Sequence, residues 1–521
     1  MSVFNGEYLV ADALRGGGLS EFPPQEDTEL IQQIGPYNVF KNDADHLQLE
    51  ASARTVAVLG GLEHAVSLAA IESFDFSTFP LIFLDQLIKN GDSISSADIL
   101  VSGQANLDLY LSKIDEEYII KPADFVNKNP STFWFQAPIH FLQSYLKQAT
   151  PRLENWQHDY GEWIVLITGP TQLNMSFKID QPGDYDVFMR CLQNGHGADG
   201  IRVSVDGEIV GDVRTESQVT EFVWREVGTV SLQGGSHTVA MEDIRGFNVV
   251  NLIAVLPSGE LERCEEQAVR MLEDKRVIYI WEAETAMNYS GWVPKSTHPN
   301  PEAEIVEYGG EASNGAVVRL ADGSRAWRDI DVIRSDEYMV GVRMGGSGEI
   351  SIDGDVTPVS SSELGFEYVG PVHLDQGGHS LEVSAKGGQV DLDVVWLYSV
   401  EDGVEEVGGI FKAGVVTAEV VSYEKVNPTK YKVRVNASEP FMLAFAEMYD
   451  RMWVACANGV EYESMILNAM VNGFWIEDTG DLEITIEFKP QTWFYWGVTI
   501  SIIGQVGALA FVLWDWRRKR K

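Results

Sequence analysis

Four short blocks recur in the same order along this chain, and that repetition restricts its fold more than any other feature. Gly183-Asp-Tyr-Asp-Val-Phe-Met-Arg190 returns as Asp336-Glu-Tyr-Met-Val-Gly-Val-Arg343, and Ile201-Arg-Val-Ser-Val-Asp-Gly207 as Gly348-Glu-Ile-Ser-Ile-Asp-Gly354. The stretch from Trp224 through Gly234-Gly-Ser-His237 to Ala240 matches Glu367 through Gly377-Gly-His379 to Val383. Asn251-Leu-Ile-Ala-Val255 closes the first copy and Asp393-Val-Val-Trp-Leu397 the second. Units of roughly 100 to 120 residues are domains, not solenoid turns. Within the blocks apolar and polar residues alternate, as at Tyr185, Val187 and Met189, and Asp-Gly or Gly-Gly pairs separate the runs. Alternation broken by such turns marks antiparallel hairpins, so each copy is predicted to be a β-sandwich.

A second constraint lies at the other extreme of hydropathy. No Lys, Arg, Asp or Glu occurs between Trp493 and Trp514, and Arg517-Arg-Lys-Arg-Lys521 follows. At about 1.5 Å per residue, a helix of that length crosses the roughly 30 Å hydrocarbon core of a bilayer. Tryptophans and a tyrosine crowd both ends, and the basic tail places the C-terminus in the cytoplasm with residues 1 to 492 outside. The start, Met1-Ser-Val-Phe-Asn-Gly-Glu-Tyr8, has neither the basic nor the apolar region of a signal peptide.

Between these landmarks the texture is plain. Residues 1–50 read as polar and irregular. From residue 51 to 150, short β-rich runs (Thr55–Gly61, Pro80–Asp85, Ala97–Val101) alternate with helix-like stretches, which predicts a small α/β unit. Gly60-Gly61 reads as a turn, since the other glycines of a dinucleotide fingerprint are missing, and Asp85 ends a strand without an assignable partner. Leu261 to Lys275 reads as a charged amphipathic helix or linker, and Tyr431 to Phe488 as a third β region leading straight into the apolar segment.

The fold class expected is therefore mainly β, with a small N-terminal α/β unit and one C-terminal transmembrane helix. Two tandem jelly-roll β-sandwiches (151–258 and 277–402, joined by 259–276) and a membrane-proximal β-domain (410–490) lie between them.

Charge excludes one class of partner. Seventy-eight acidic residues against 38 basic ones give a net charge of −40, which repels nucleic acid and suits a protein kept soluble in salty surroundings such as an archaeal cell surface. Cys191, Cys264 and Cys456 are too few and scattered for a disulfide framework or a zinc site. Asn174, Asn288 and Asn436 each open an N-x-Ser glycosylation triplet, in keeping with an outward-facing chain. No catalytic residue is assigned: there is no His-Glu-x-x-His, nucleophile elbow or phosphate loop, and Asp184-Tyr-Asp186 reads as strand surface.

Residues 152 to 400 resemble β-sandwich carbohydrate-binding modules of the family 6/35 type. The resemblance rests on Trp281-Glu-Ala-Glu284, Pro182-Gly-Asp-Tyr-Asp-Val187, the Val/Ile-Asp-Gly hairpins, Gly-Gly-(Ser)-His, and Leu392-Asp393. It implies carbohydrate as the partner, with Trp292 and Trp327 as stacking platforms in the second copy, and Trp156, Tyr160 and Trp163 as an aromatic cluster in the first. It also implies a structural Ca²⁺ on Glu282, Glu284 and Asp393, carboxylates being the ligands a hard cation takes. In the first copy Asn251 replaces Asp393 and no Glu-Ala-Glu precedes it, so no calcium is expected there.

The last 95 residues, with Asn427-Pro-Thr-Lys-Tyr431, Val471-Asn-Gly-Phe-Trp-Ile476 and Phe488-Lys-Pro-Gln-Thr-Trp-Phe-Tyr-Trp-Gly497, resemble the exterior tail of polytopic membrane proteins of the YfhO and GT-C glycosyltransferase kind. That implies a polytopic membrane glycosyltransferase as a partner. The helical part that carries glycosyl transfer in such proteins is absent from these residues.

Overall fold

The alternation of the repeat blocks becomes sheet in a computed structural model of the chain. It describes the strands Tyr8–Asp12, Thr28–Ile34 and Tyr37–Asn42, then residues 48–520 apart from 53, 61–62, 72, 84–96, 104–105, 112–113, 123–124, 126–151, 156–162, 169–171, 194–199, 220, 246, 291–302, 309–311, 401–402, 413–415 and 469. Two units are distinguished: Val56–Phe74 with Phe83–Lys412, and Met1–Thr55 with Asp75–Ile82 and Ala413–Lys521.

The first of these units holds both repeats. In the first sandwich Gly183–Gln193 pairs antiparallel with Glu221–Leu232 on one side and Phe247–Pro257 on the other, and Trp163–Thr168 continues the sheet. Gln172–Ile179, Gly235–Arg245, Gly200–Val205 and Glu208–Val213 form the facing sheet in that order. Tyr185, Val187, Met189, Val203 and Val205 point into the core between them, as their alternation requires. In the second sandwich Asp336–Ile352, Asp355–Leu374 and Gly377–Ser399 are long continuous strands. Each spans what the first sandwich divides between two strands, so the copies share one chain path. The linker between them is the helix Glu260–Met271, whose buried Cys264 packs under the outer face of the first sandwich with Phe188, Trp224 and Leu252.

The repeated motifs are locks between hairpins. Tyr185 donates its hydroxyl hydrogen to the Gln181 carbonyl at 2.8 Å, and Tyr338 does the same to Arg334 at 2.9 Å. The imidazole of His237 lies 2.7 Å from both Asp206 Oδ2 and the Gln233 carbonyl, while Asp206 Oδ1 accepts the Thr238 amide. His379 repeats this with Asp353 Oδ2 and the Asp375 carbonyl at 2.6 Å each. Two acceptors on one ring call for two N–H groups, which is the imidazolium form. The hydrogen bond to Asp206 raises the His237 pKa. At His379 burial lowers the pKa, but the Asp375 carbonyl and Asp353 together outweigh it, and the net shift is upward. Asp206 and Asp353 shift downward.

A raised histidine stabilises fully below its unfolded value near 6.5, and that contribution is lost as pH rises through the folded value. The aspartates contribute above their unfolded value near 3.9 and lose it in acid. Both hairpin locks are thus strongest between these limits. Melting temperature is expected to fall from pH 6 to pH 9, and His237→Asn/His379→Asn should flatten that slope; an unchanged slope in the double variant would refute the locks.

The α/β segment does not close on itself. Val56–Leu59 pairs parallel with Ile99–Ser102, which pairs parallel with Arg276–Glu282, and that strand pairs antiparallel with Gly377–Ser399. The expected 51–150 unit therefore extends the sheet of the second sandwich. Its helix Asn106–Leu111 instead packs on Glu260–Met271, and Ile119–Ile120 adds to the first sandwich. Gly60 takes a positive φ of 144°, and a Cβ there would come within 2.7 Å of the His64 ring, so the turn role fits. Asp85 lies outside the described residues.

In the other unit, Ala418–Asn427, Lys430–Ala437, Gly480–Phe488, Trp453–Ala457 and Val460–Glu463 form one sheet. Met465–Leu467, Val471–Ile476, Phe441–Met448 and the distant Leu49–Ser52 form the other. Tyr431, Phe445 and Trp453 meet edge to face between them, with ring centroids 4.8 and 5.0 Å apart for successive pairs. Residues 1–50, expected to be irregular, contain three strands that pair antiparallel in the order Tyr8–Asp12, Tyr37–Asn42, Thr28–Ile34. Their alternation is short and weakly apolar, which hid it, although Gly35-Pro36 is a turn signal.

Candidate functional site

The structure gathers the three carboxylates that the sequence proposed as calcium ligands. Glu282 ends the strand Arg276–Glu282, Glu284 follows in the single turn Ala283–Ala286, and Asp393 lies in Gly377–Ser399. Ser313 joins them: its hydroxyl is 2.5 Å from Glu282 Oε2 and 3.0 Å from Asp393 Oδ1, and its amide donates to Asp393. Ser67 donates to Glu282 Oε1 at 2.5 Å, and Asn314 to Glu284 Oε1 at 2.8 Å. Glu282 and Asp393 are buried. Burial, reinforced by the charge of Glu284, pushes Glu282 up to about 8. Burial also raises Glu284, and raises Asp393 against the opposing pull of Arg343. Ser313 has one hydroxyl hydrogen for two carboxylates, so both contacts are satisfied when Glu282 carries a proton.

These residues do not make a calcium cage as they stand. Arg343 Nη1 donates to Asp393 Oδ2 at 2.8 Å, so both oxygens of Asp393 are engaged. Both oxygens of Glu282 are engaged as well, and only Glu284 Oε2 is buried without a hydrogen bond. Among the described residues no group of three or more His, Cys, Asp or Glu is arranged to hold a metal ion.

The first sandwich repeats the arginine. Arg190 Nη1 donates to Asn251 Oδ1 at 3.0 Å, and its Nε lies 3.9 Å from Asp108 Oδ1, all three side chains being buried. A register shift lies at the same place in each copy. Arg190 is opposite Leu252 and Cys191 opposite Val250; Arg343 is opposite Val394 and Met344 opposite Leu392. Asn251 and Asp393 are thus the extra residues of two equivalent β-bulges, a device that re-aims a side chain. Sequence reading matched the two arginines and the Asn251/Asp393 pair but did not connect them, because a bulge leaves no mark in alternation.

Of the stacking candidates, Trp327 is half-buried in Arg325–Val332, with the Arg325 guanidinium 4.9 Å from its ring centroid. Arg325 also pairs with Glu382 at 2.7 Å. Asn288–Tyr289 lies alongside as the neighbouring strand, Asn288 opposite Trp327. Trp292, Trp156 and Tyr160 lie outside the described residues, and of Trp163 only the backbone is described. Among the glycosylation candidates Asn174 is exposed, Asn288 is half-buried, and Asn436 is exposed with its amide donating to Asp481 at 2.7 Å. Asp184 and Asp186 accept cross-strand bonds from Ser231 and Thr229 and are strand surface. Cys191 is fully buried, and burial pushes its thiol up to about 12, as suits an inert core residue.

The terminal helix runs from Pro490 to Lys519, one residue after the last strand. Its Trp496–Lys519 stretch has a mean hydropathy of 1.8 over its most apolar window and none of that window is buried. Phe488 N–H donates to the Thr429 carbonyl and Lys489 N–H to the Met452 carbonyl, fixing the helix start to one end of the β-domain. That end also exposes Met448 and Met470, 79% and 51% accessible.

No family model matches the chain, and no curated protein does. Among solved structures it is similar to the arabinofuranosyltransferase AftD from Mycobacteria, at 9% identity and a TM-score of 0.38 over 91% of this chain. The chain spans 53% of that protein's length. It is also similar to a family 35 carbohydrate binding module from Clostridium thermocellum, at 15% identity and a TM-score of 0.19, over 24% of this chain and 98% of the module. A carbohydrate binding module from Cellvibrio mixtus lichenase 5A gives 19% identity and a TM-score of 0.18, over 21% of this chain and 87% of the module.

Proposed function

We propose that this chain is a membrane-anchored, non-catalytic glycan-binding protein whose β-domains lie outside the cell. The observation that carries this reading is the setting of Trp327. One partly exposed indole lies under the Arg325 guanidinium, with Glu382 and Asn288 opposite it on the two adjoining strands. An aromatic face bordered by polar groups matches the apolar face and hydroxyl rim of a pyranose. The β-domain at the helix start, with Met448 and Met470 exposed, rests against the headgroup region, since Trp493 follows Lys489 by only about 6 Å of helix. The full chain in nanodiscs is expected to be retained on a glycan array, with Trp327→Ala weakening retention about tenfold, the equivalent of about 1.4 kcal/mol. Undiminished binding in that variant would remove Trp327 from the site.

A second reading is favoured by the helix itself. Gly497, Ser501 and Gln505 fall on one face, with Gln505 near the middle of the span. Small residues let another helix approach, and an amide at that depth gains from a hydrogen-bonding partner there. On this reading the chain is the exterior region of a membrane glycosyltransferase and holds acceptor glycan near it. Cysteine crosslinking at Gly497 and Ser501 should then join the helix to a polytopic protein, and Gln505→Leu should weaken the link. Recovery of the chain uncrosslinked from intact membranes would count against it.

A further inference from the structure

We infer that a guanidinium, and not a metal ion, is the internal cation of both sandwiches. The inference rests on a duplicated geometry. In each copy an arginine on the same strand position reaches across an equivalent β-bulge to the residue that the bulge turns toward it. Arg190 meets Asn251 at 3.0 Å and Arg343 meets Asp393 at 2.8 Å. The partners differ in charge, and the surroundings differ to match. Where the bulge residue is neutral Asn251, a carboxylate comes from elsewhere: Asp108, on the helix Asn106–Leu111, lies 3.9 Å from Arg190. Where the bulge residue is Asp393, it supplies the carboxylate itself. Each arginine therefore has a carboxylate beside it as counter-charge, and Arg343 engages one of the two oxygens of Asp393.

Ion pairs buried on both sides, as Arg190 with Asp108, or on the carboxylate side, as Arg343 with Asp393, tolerate loss of charge on one partner less well than replacement of both. That makes the bulge a joint: it holds the closing strand of each sandwich to the strand that opens the repeat. Asp108 extends the joint in the first copy to the helix Asn106–Leu111.

The test uses the full chain in detergent or nanodiscs, with calcium chloride itself as the probe. Melting temperature is expected to be the same in millimolar calcium and in chelator. Arg343→Met should lower it by several degrees, and Asp393→Asn, which leaves the Arg343 guanidinium without the carboxylate that Asp108 supplies in the first sandwich, should fold with a lowered melting temperature as well. A calcium-induced rise that Asp393→Asn abolishes would overturn the inference, and so would an Arg343→Met variant as stable as the parent. A calcium-induced rise that persists in Asp393→Asn places the ion elsewhere on the acidic surface and leaves the inference standing. If Arg343→Met does not fold, Arg343→Lys decides: with charge kept but the planar fork lost, it should fold with a lowered melting temperature, still unmoved by calcium.

Discussion

Ending the chain after Lys489 is expected to move the protein from the membrane pellet to the supernatant, while its β-domains stay folded. The physical reason is the separation of two kinds of surface. None of the apolar helical window is buried, so none of the described residues covers it. Leaving about 20 apolar residues in water costs far more than the marginal stability of a domain, and a bilayer removes that cost. The last strand, by contrast, ends at Phe488, and the Lys489 amide still donates to Met452, so the cut leaves the sheet intact. Fractionation after an alkaline carbonate wash reads the outcome, with near-ultraviolet circular dichroism as the folding control. A folded, truncated protein still in the pellet would show that the helix is not the anchor.

The second large effect is expected at Trp396. It lies fully buried in Gly377–Ser399, opposite Ile280 on one neighbouring strand and Gly341 on the other. Its ring meets Phe411 edge-on at 6.4 Å, and Phe411 meets Phe74 at 5.0 Å. Trp396→Ala empties this space and should cost about 3–5 kcal/mol, because strands paired on both sides cannot collapse into the cavity. Trp327→Ala, at a half-buried position, should cost under about 1.5 kcal/mol by the same area argument. Urea titration followed by far-ultraviolet signal distinguishes the two, the midpoint falling by about 1–2 M for Trp396→Ala at an ordinary slope. Equal shifts would mean that the burial difference between these tryptophans is wrong.

Parts of the fold and of the site were legible before the structure was known. His237 and His379 stood out as repeated letters, as did Asp206 and Asp353, and hairpin turns so close in space were bound to bring them together. Glu282, Glu284 and Asp393 were matched by resemblance, and the structure does gather them. Their partners were not legible. Ser67, Ser313 and Arg343 come from a helix, a loop and another strand, and Asp108 is 82 positions before Arg190. No local period encodes such pairs, since each depends on which strands become neighbours.

The chain's own pattern determined that its two repeat copies would be like β-sandwiches, because period-two alternation and Asp-Gly turns act within a few residues. It determined equally that Trp493–Trp514 would be a helix too apolar for water. Tertiary structure alone decided where the other strands went. Leu49–Ser52 joined Phe441–Met448 almost 400 positions away, and Ile99–Ser102 joined Arg276–Glu282 in parallel. A strand's alternation says which face is buried but not which edge it will pair with. That choice waits on loop closure and on which sheet edge still has free backbone groups to satisfy.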